Sequence, residues 1–260
     1  MAETDFFTIL DCVDSSNNYA MGQVHAGLAK HGQAWFAKEQ TGGKGQRGKT
    51  WETGKNENIA LSIAVVPAGL ETVHQFRLSV AVSLASFDLF YKIAGEGTSI
   101  KWPNDIYWRD RKAGGILIEN VLQGNSWKFA VIGIGINVNQ ETFNAELNNA
   151  TSLKTITGNE YDPIELAKEL YRNVMQRINS IHDSDFEVVL KEYNRRLYML
   201  GQEVKLKKGD IITEEKISGV SQTGKLQTTN TEYNFGEVEW LLSLKASGFQ
   251  NGSLPETSFE

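Results

Sequence analysis

The feature that most constrains this 260-residue chain is the uneven placement of its 24 glycines. Thirteen of them lie between Gly42 and Gly135, whereas residues 136–200 contain a single one, Gly158. Glycine adopts backbone conformations that are closed to other residues, so a cluster of glycines indicates a backbone put to specific use. This bias predicts a first half that builds a site from its backbone, and a later helical layer without that role.

Composition excludes several classes of protein. The single cysteine excludes a disulfide framework and a cysteine-based zinc site, and the four histidines lack metal-ligand spacing. No run approaches the roughly 18 apolar residues of a membrane helix. The first residues, MAETDFF, lack the segments of a secretory signal. We therefore expect a cytoplasmic enzyme without membrane contact, built as one large domain or as one domain with a small appendage.

Charge is also unevenly distributed. The chain has a formal net charge of −6, yet residues 38–49 contain four cations and one anion. A basic, glycine-rich segment in an acidic protein favours a small anionic ligand, such as a phosphate. A nucleic-acid surface would need a broad basic patch instead.

Hydrophobic periodicity predicts strands and helices up to residue 200. The predicted helices span residues 15–30, 71–94, 162–178 and 185–200. The predicted strands span residues 34–38, 59–66, 98–102, 115–123 and 126–137, with a hairpin turn at Gly124 and Asn125. Serines at 15 and 16 can cap the first helix, and Asp162 is the predicted N-cap of the third.

The composition changes after Gly201. Residues 201–244 are rich in Lys, Thr and Gly, and they hold short alternating strands without a helical period. We predict a catalytic core at 1–200, a small β domain at 201–245 whose edges a barrel closure would cover, and a disordered tail at 246–260.

The sequence of the glycine loop, residues 42–51, matches two phosphate-binding motifs. Residues 43–50 satisfy GxxxxGK[ST], and Gly43, Gly45 and Gly48 satisfy GxGxxG. Both motifs need a helix directly after the loop, but the following WETGKNEN has no apolar period, which disfavours both. Two interpretations stay open: an anion site built from backbone N–H groups and the cations of the loop, or a mobile surface loop.

Two further segments place polar groups beside strand ends. In KWPND (101–105) the proline turns the chain, so Asn104 and Asp105 can converge on a site, where Asp105 would hold magnesium or a ribose hydroxyl. The alternative is an Asx turn beside a core Trp102. A cation ahead of a glycine pair, Lys112, is either held rigidly at a strand start or belongs to an ordinary basic turn.

Four glycines accompany the strands that follow. Gly133 and Gly135 alternate with isoleucines, which puts both on one face of a strand. Together with Gly114 and Gly115 they would clear a flat floor for a ligand; the alternative is close packing of a helix on that face.

Five ordered segments are similar to those of the biotin–protein ligases, and the resemblance covers residues 5–244. They are SSN at 15–17, GGKGQRGKTW at 42–51, KWPND at 101–105, RKAGGILIE at 111–119 and GIGIN at 133–137. The resemblance implies an α+β fold with a mixed, largely antiparallel sheet and helices packed on one face, as in class II synthetases. It also implies a small SH3-like barrel at the C-terminus.

The resemblance implies an activity as well. Ligases of this family join biotin and ATP, with Mg²⁺, to form biotinyl-5′-AMP and pyrophosphate. They then pass the biotinyl group to a lysine of a carrier domain, such as that of acetyl-CoA carboxylase. Lipoate– and octanoate–protein ligases, similar in fold and chemistry, are the near alternative. A non-catalytic biotin-binding protein and a P-loop NTPase are the more distant ones.

Roles for individual residues follow from the same resemblance. The implied catalytic cations are Lys112, Arg47 and Lys44. The implied biotin-binding residues are Ser15, Ser16, Asn17, Gln40, Gly43, Lys44, Gly45, Gln46, Lys112, Gly115, Gly133 and Gly135. The residues implied for ATP are Lys44, Gly45, Arg47, Lys49, Trp51, Asn104, Asp105, Lys112 and Asn137, with Asp105 also as the metal ligand.

The sequence departs from the family pattern in the loop and at the N-terminus. The commonest loop has arginine where Lys44 stands, and lysine keeps the charge but loses the bidentate geometry. The family often carries arginine at the position of Gln46. The fourteen residues before Ser15 are too few for the DNA-binding domain of some members. We therefore expect no nucleic-acid partner. We also expect the protein to be a monomer or a homodimer.

Overall fold

Two β-sheets organise the computed structural model, in which residues 6–124, 126–144, 149–181 and 185–241 are described. The strands of the first sheet are β1 (Phe7–Leu10), β2 (Gln33–Ala37), β3 (Asn58–Val65), β4 (Thr98–Lys101), β5 (Asp105–Trp108), β6 (Arg111–Gln123) and β7 (Ser126–Asn137). Those of the second are β8 (Glu203–Lys208), β9 (Ile211–Val220), β10 (Leu226–Thr228), β11 (Glu232–Tyr233) and β12 (Glu239–Leu241). The helices are α1 (Ser16–His25), α2 (Gln75–Ala94), α3 (Leu153–Thr157), α4 (Pro163–Asn179) and α5 (Phe186–Arg195).

The first sheet has the strand order β1-β2-β3-β7-β6-β5-β4. β1 and β2 run parallel, and each of the other neighbouring pairs is antiparallel. The predicted mixed, largely antiparallel sheet is therefore confirmed. The short strands β1 and β5 were not predicted from the sequence.

Helices cover both faces of this sheet. Residues such as Ile63 of β3 and Ile132 of β7 belong to the main core, together with residues of α2 and α4. The opposite face carries Ala64 and Val131, which pack with Val24 of α1. The prediction that the helices lie on one face is therefore wrong for α1. On this second face α1 packs against Trp35 of β2, Ala64 of β3 and Val131 of β7.

The predicted start of α4 is confirmed, but α1 and α5 both end earlier than predicted. The Asp162 side chain accepts two backbone hydrogen bonds at the start of α4, as predicted. α1 ends at His25 instead of near Lys30, and Gly27 beyond it takes a φ of +71° that terminates the helical turn. α5 also ends early, at Arg195, because the chain turns there to hydrogen-bond with β4.

The second sheet has the strand order β11-β10-β9-β8-β12 and lies against the first part of the chain. The indole N–H of Trp102 donates to the carbonyl of Gly224 at 2.9 Å. The Asn194 side chain exchanges two hydrogen bonds with the backbone of Val220. The small C-terminal β-sheet is thus confirmed, whereas its barrel closure and the boundaries at 200 and 245 stay predictions. The predicted tail at 246–260 lies outside the described residues.

Two further predictions concern the β6–β7 turn and the membrane. β6 and β7 pair antiparallel with Gln123 opposite Ser126, as a hairpin requires, but Asn125 of the predicted turn lies outside the described residues. Within the described ranges, no helix is long and apolar enough to cross a membrane.

We predict that Tyr193→Phe stabilises the fold. Tyr193 is fully buried beside Phe76, and within the described part of the chain its hydroxyl has no hydrogen-bond partner. A buried polar group without a partner costs roughly 1–3 kcal/mol, so the variant should gain about 1 kcal/mol in the free energy of unfolding, measured by urea denaturation. Tyr161→Phe is the matched control, because the Tyr161 hydroxyl donates to Thr157 and its loss should lower stability. A less stable Tyr193→Phe variant would contradict this account of the core.

Candidate functional site

Small residues occupy the centre of β3 and β7 on the face of the first sheet beside α1, with Leu117 of β6 next to them. β6 and β7 pair Gly115 with Gly135, while β3 and β7 pair Ala60 with Gly135 and Ser62 with Gly133. Because side chains alternate between the two faces of a strand, these five residues share one face. Gly133 and Gly135 therefore lie on the same face, as their spacing predicts.

Two planar side chains of the protein itself cover these glycines. The amide of Asn17 occupies the space that a Cβ at Gly133 would need, and the indole of Trp51 occupies the space beside Gly135. The predicted bare floor is therefore covered, because groups from α1 and the glycine loop lie on it. Gly114, also assigned to that floor, faces the opposite, helix-covered side of the sheet.

The glycine loop folds back on itself. The N–H of Gly45 donates to the carbonyl of Lys49 at 2.7 Å, and the N–H of Trp51 donates to the carbonyl of Gly43 at 2.8 Å. The N–H groups of Gly42 and Lys49 also have backbone partners, the carbonyls of Asp14 and Gln46. The predicted anion nest is therefore limited to the loop N–H groups outside these four. After the loop the chain enters β3 without a helix, so the P-loop and dinucleotide-binding interpretations are both wrong here.

Hydroxyl and amide groups form the end of the site next to α1. Ser15 occupies the N-cap position of α1, but its side chain makes no capping hydrogen bond, contrary to prediction. The backbone N–H of Ser16 donates to Oε1 of Gln40 at 2.8 Å, and the hydroxyls of Ser16 and Ser62 lie 2.8 Å apart. The side chains at 15, 16 and 17 are all buried. This end therefore presents neutral donors and acceptors in fixed positions.

Opposite charges meet where the β4–β5 hairpin approaches β6. Nζ of Lys112 lies 2.7 Å from Oδ1 of Asp105. The side chain of Asn104 donates to the carbonyl of Ile116 at 2.6 Å, which ties the hairpin to β6. Asp105 begins β5 and does not simply follow a strand end, because the residues between β4 and β5 form a hairpin turn.

The backbone around Lys112 is held from both sides. Its N–H donates to the carbonyl of Asn149 at 2.6 Å, and its carbonyl accepts from the N–H of Thr151 at 2.9 Å. Its ammonium lies 5.9 Å from the centre of the Trp51 ring system. Asn137 donates its amide N–H to the carbonyl of Thr151 at 2.9 Å, so it supports this segment.

Arg47 contacts the loop that joins β11 to β12 of the second sheet. Its guanidinium carbon lies 4.9 Å from the centre of the Phe235 ring, and the group fills the space beside Gly236. Arg47 also has a φ of +56°, a conformation that non-glycine residues rarely adopt. Arg47, which was predicted to act in catalysis, thus connects the glycine loop to the loop between β11 and β12.

Lys101 is a half-buried cation of the site that was not predicted from the sequence. Its Nζ lies 4.9 Å from the centre of the Tyr107 ring and 5.5 Å from that of Trp240. Burial lowers the pKa of Lys101 to about 8, because desolvation disfavours the ammonium; nearby Asp105 partly offsets this effect, and Lys112 adds to it.

A cavity of about 750 Å³ joins all these groups. Every predicted site residue except Gly43 lines it; Gly43 lies along an adjoining space under the loop. Lining residues that the sequence analysis did not assign include Lys101, Tyr107, Phe143, Asn149, Ala150, Phe235, Gly236, Val238, Glu239 and Trp240. Lys101 could have been found, since it begins KWPND, but no local pattern indicates that the second sheet forms a wall of the cavity.

Comparison with known proteins decides the family. Residues 9–137, which hold the glycine loop, the β4–β5 hairpin and β7, match the model of the biotin/lipoate A/B protein ligase family. This part of the chain is a domain of that family.

Relatives of the chain are known from sequence and from structure. It is 28% identical over 221 residues to the bifunctional ligase/repressor BirA of Escherichia coli. That match covers 82% of this chain and 65% of BirA, just under two thirds of the length of the relative. It is 28% identical over 220 residues to the biotin–[acetyl-CoA-carboxylase] ligase of Paracoccus denitrificans, covering 82% of this chain and 90% of that one. The biotin protein ligase of Aquifex aeolicus, solved with biotin and ATP, matches at a TM-score of 0.78 and 26% identity, over 91% of this chain and 99% of that chain.

The lowered pKa of Lys101 predicts a pH-dependent stability. Between the folded value of about 8 and the ordinary value of 10.5, the unfolded chain binds more protons at this residue. The free energy of unfolding should therefore rise with pH in that window, relative to Lys101→Met, by at most about 1.4 kcal/mol per pH unit. Urea denaturation of both proteins near pH 7.5 and 9.5 measures the difference. A difference that does not change with pH would contradict the burial of this ammonium.

Proposed function

We propose that this chain is a biotin–protein ligase that makes two bonds in succession. A carboxylate oxygen of biotin attacks the α-phosphorus of ATP, which forms biotinyl-5′-AMP and releases pyrophosphate. The amine of a carrier lysine then attacks the acyl carbon, forms an amide and loses a proton, and AMP leaves. The observation that carries the proposal is a single cavity with neutral polar groups at one end and cations at the other, under a glycine loop.

Biotin fits this cavity with its ureido ring at the neutral end. A ureido group needs donors for its oxygen and acceptors for its N–H groups, and the side chains of Ser16, Asn17 and Gln40 offer both kinds of group. In that orientation the carboxylate of biotin approaches the cations of the loop and of β6, Lys44 and Lys112.

ATP fits the other end, beside Trp51, Asn104 and Asn137. Adenylation brings together two anions, the carboxylate and the α-phosphate, and negative charge grows on the phosphate oxygens. Cations and N–H donors fixed in advance are the main means of stabilising that charge. In this proposal Lys112, which pairs with Asp105, acts where the carboxylate and the α-phosphate meet, and Arg47 would reach the phosphates once its guanidinium leaves the Phe235 ring.

Mg²⁺ enters, in this proposal, as the companion of ATP. Among the described residues there is no group of three or more His, Cys, Asp or Glu side chains that could hold a resident ion. One carboxylate with phosphate oxygens and water is a usual ligand set for Mg²⁺, and Asp105 would supply that carboxylate. The bound ion would neutralise charge on the leaving pyrophosphate.

The second substrate in this proposal is a biotin carboxyl carrier domain. Relatives of this chain carry the name biotin–[acetyl-CoA-carboxylase] ligase, which motivates the choice. The mixed anhydride reacts with water, so it must be shielded until the carrier lysine arrives. The contact of Arg47 with Phe235 supports a role of the glycine loop as the cover that the intermediate would need.

ATP–pyrophosphate exchange tests the proposed function. The family includes lipoate as well as biotin ligases, so biotin, lipoate and octanoate are each supplied separately. We predict exchange with biotin and none with the two fatty acids. Exchange driven by lipoate or octanoate alone would indicate the other branch of the family, and ATP hydrolysis without any acid would contradict both.

Substitution of Lys112 tests the electrostatic part of the proposal. Lys112→Ala removes the cation at the meeting point of carboxylate and α-phosphate, so the biotin-dependent exchange rate should fall by about 100- to 1,000-fold, by analogy with the loss of one oxyanion donor. Lys168→Ala, which removes an exposed lysine paired with Glu165, is the control and should exchange normally. A near-native rate in Lys112→Ala would remove this residue from the mechanism.

A further inference from the structure

Glu119 is a carboxylate on β6 that the proposed mechanism does not use. It pairs in register with Val131 of β7, which places it on the sheet face that carries α1. Its Oε2 accepts from Nδ2 of Asn17 at 2.9 Å, and its Oε1 lies 3.8 Å from Nζ of Lys44. One carboxylate therefore contacts both the neutral end of the cavity and the glycine loop.

The hydrogen bonds around Asn17 define which way its amide points. Oδ1 of Asn17 lies 2.6 Å from the hydroxyl of Ser62, which in turn lies 2.8 Å from the hydroxyl of Ser16. An amide oxygen only accepts, so Ser62 donates its single proton to Asn17, and Ser16 must donate to Ser62. An ionised carboxylate also only accepts, so Nδ2 must face Glu119. The direction of the whole chain thus depends on Glu119.

The position of Asn17 leaves it little freedom to adapt. Its side chain is buried, and its amide lies in the space that Gly133 leaves open. After the bonds to Ser62 and Glu119, one N–H of the Asn17 amide remains for a ligand. If the amide turned over, the cavity would offer a ligand an acceptor in place of that donor.

Lys44 links the same carboxylate to the loop. Both residues line the space under the glycine loop, and each is partly exposed there. Because an ion pair in such a position has modest strength, it can form and break as the loop moves.

We propose that Glu119 is a positioning residue that fixes the Asn17 amide with its donor side available to the ureido ring, and that holds Lys44 over the same ligand. The proposal rests on the proposed function, since it concerns how the neutral end recognises biotin. Glu119 does not touch the reacting atoms. Its two partners act on biotin in this proposal, Asn17 at the ureido ring and Lys44 at the carboxylate, so its main effect is on the affinity for biotin, with little effect on the chemical step or on ATP binding.

Glu119→Gln is the direct test, measured by ATP–pyrophosphate exchange over a range of biotin concentrations. Glutamine is nearly isosteric, but it also donates, so the Asn17 amide no longer has one favoured direction, and Lys44 loses its anion. Loss of a hydrogen bond to a charged group predicts a rise of about tenfold or more in KM for biotin, with kcat and the KM for ATP within about threefold of wild type. Glu119→Asp keeps a carboxylate that only accepts hydrogen bonds, so its KM for biotin should be closer to the wild-type value than that of Glu119→Gln.

The control is Glu169→Gln, which removes a carboxylate paired with Lys92 at 2.7 Å on the helical side, away from the cavity, and should leave all three constants unchanged. An unchanged KM for biotin in Glu119→Gln would overturn the proposal, and so would a fall in kcat without a change in KM. If Glu119→Gln does not fold, Glu119→Asp decides by the same criterion. A wild-type chain without biotin-dependent exchange would instead overturn the proposed function itself.

Discussion

The close approach of two planar side chains to a bare sheet face is the constraint on which the site depends. Asn17 and Trp51 lie against β7 only because Gly133 and Gly135 carry no Cβ. The antiparallel register then brings Gly115 beside Gly135, so the bare area extends across two strands. Any larger residue at these positions would displace the groups that define the two ends of the cavity.

Electrostatics builds on that geometry. Lys112 and Lys44 each lie near a carboxylate, while Arg47 lies on the Phe235 ring in the loop between β11 and β12. These partners offset the mutual repulsion of the three cations, so the cations can lie close together in one cavity. A ligand that carries a carboxylate and phosphates supplies new partners for the same cations, which is why the cavity suits an adenylation reaction.

Sequence reasoning worked where the decisive interactions are local. The Asp162 cap and the alternation along β7 depend on neighbouring residues, and both were predicted with the right geometry. The orientation of α1 and the cavity wall around Trp240 depend on contacts between distant parts of the chain, which leave no periodic signal. Glu119 was missed for the same reason, because its partners Asn17 and Lys44 lie far from it in sequence.

The central claim is that this cavity joins the carboxylate of biotin to the α-phosphate of ATP. The most direct test uses biotin labelled with ¹⁸O at both carboxylate oxygens. The labelled biotin is incubated with ATP and an unmodified carrier domain, and the mass of the AMP product is measured by mass spectrometry. The acyl–oxygen bond breaks in the transfer step, so we predict AMP that carries one ¹⁸O from biotin. Unlabelled AMP, or ADP as the nucleotide product, would contradict the account.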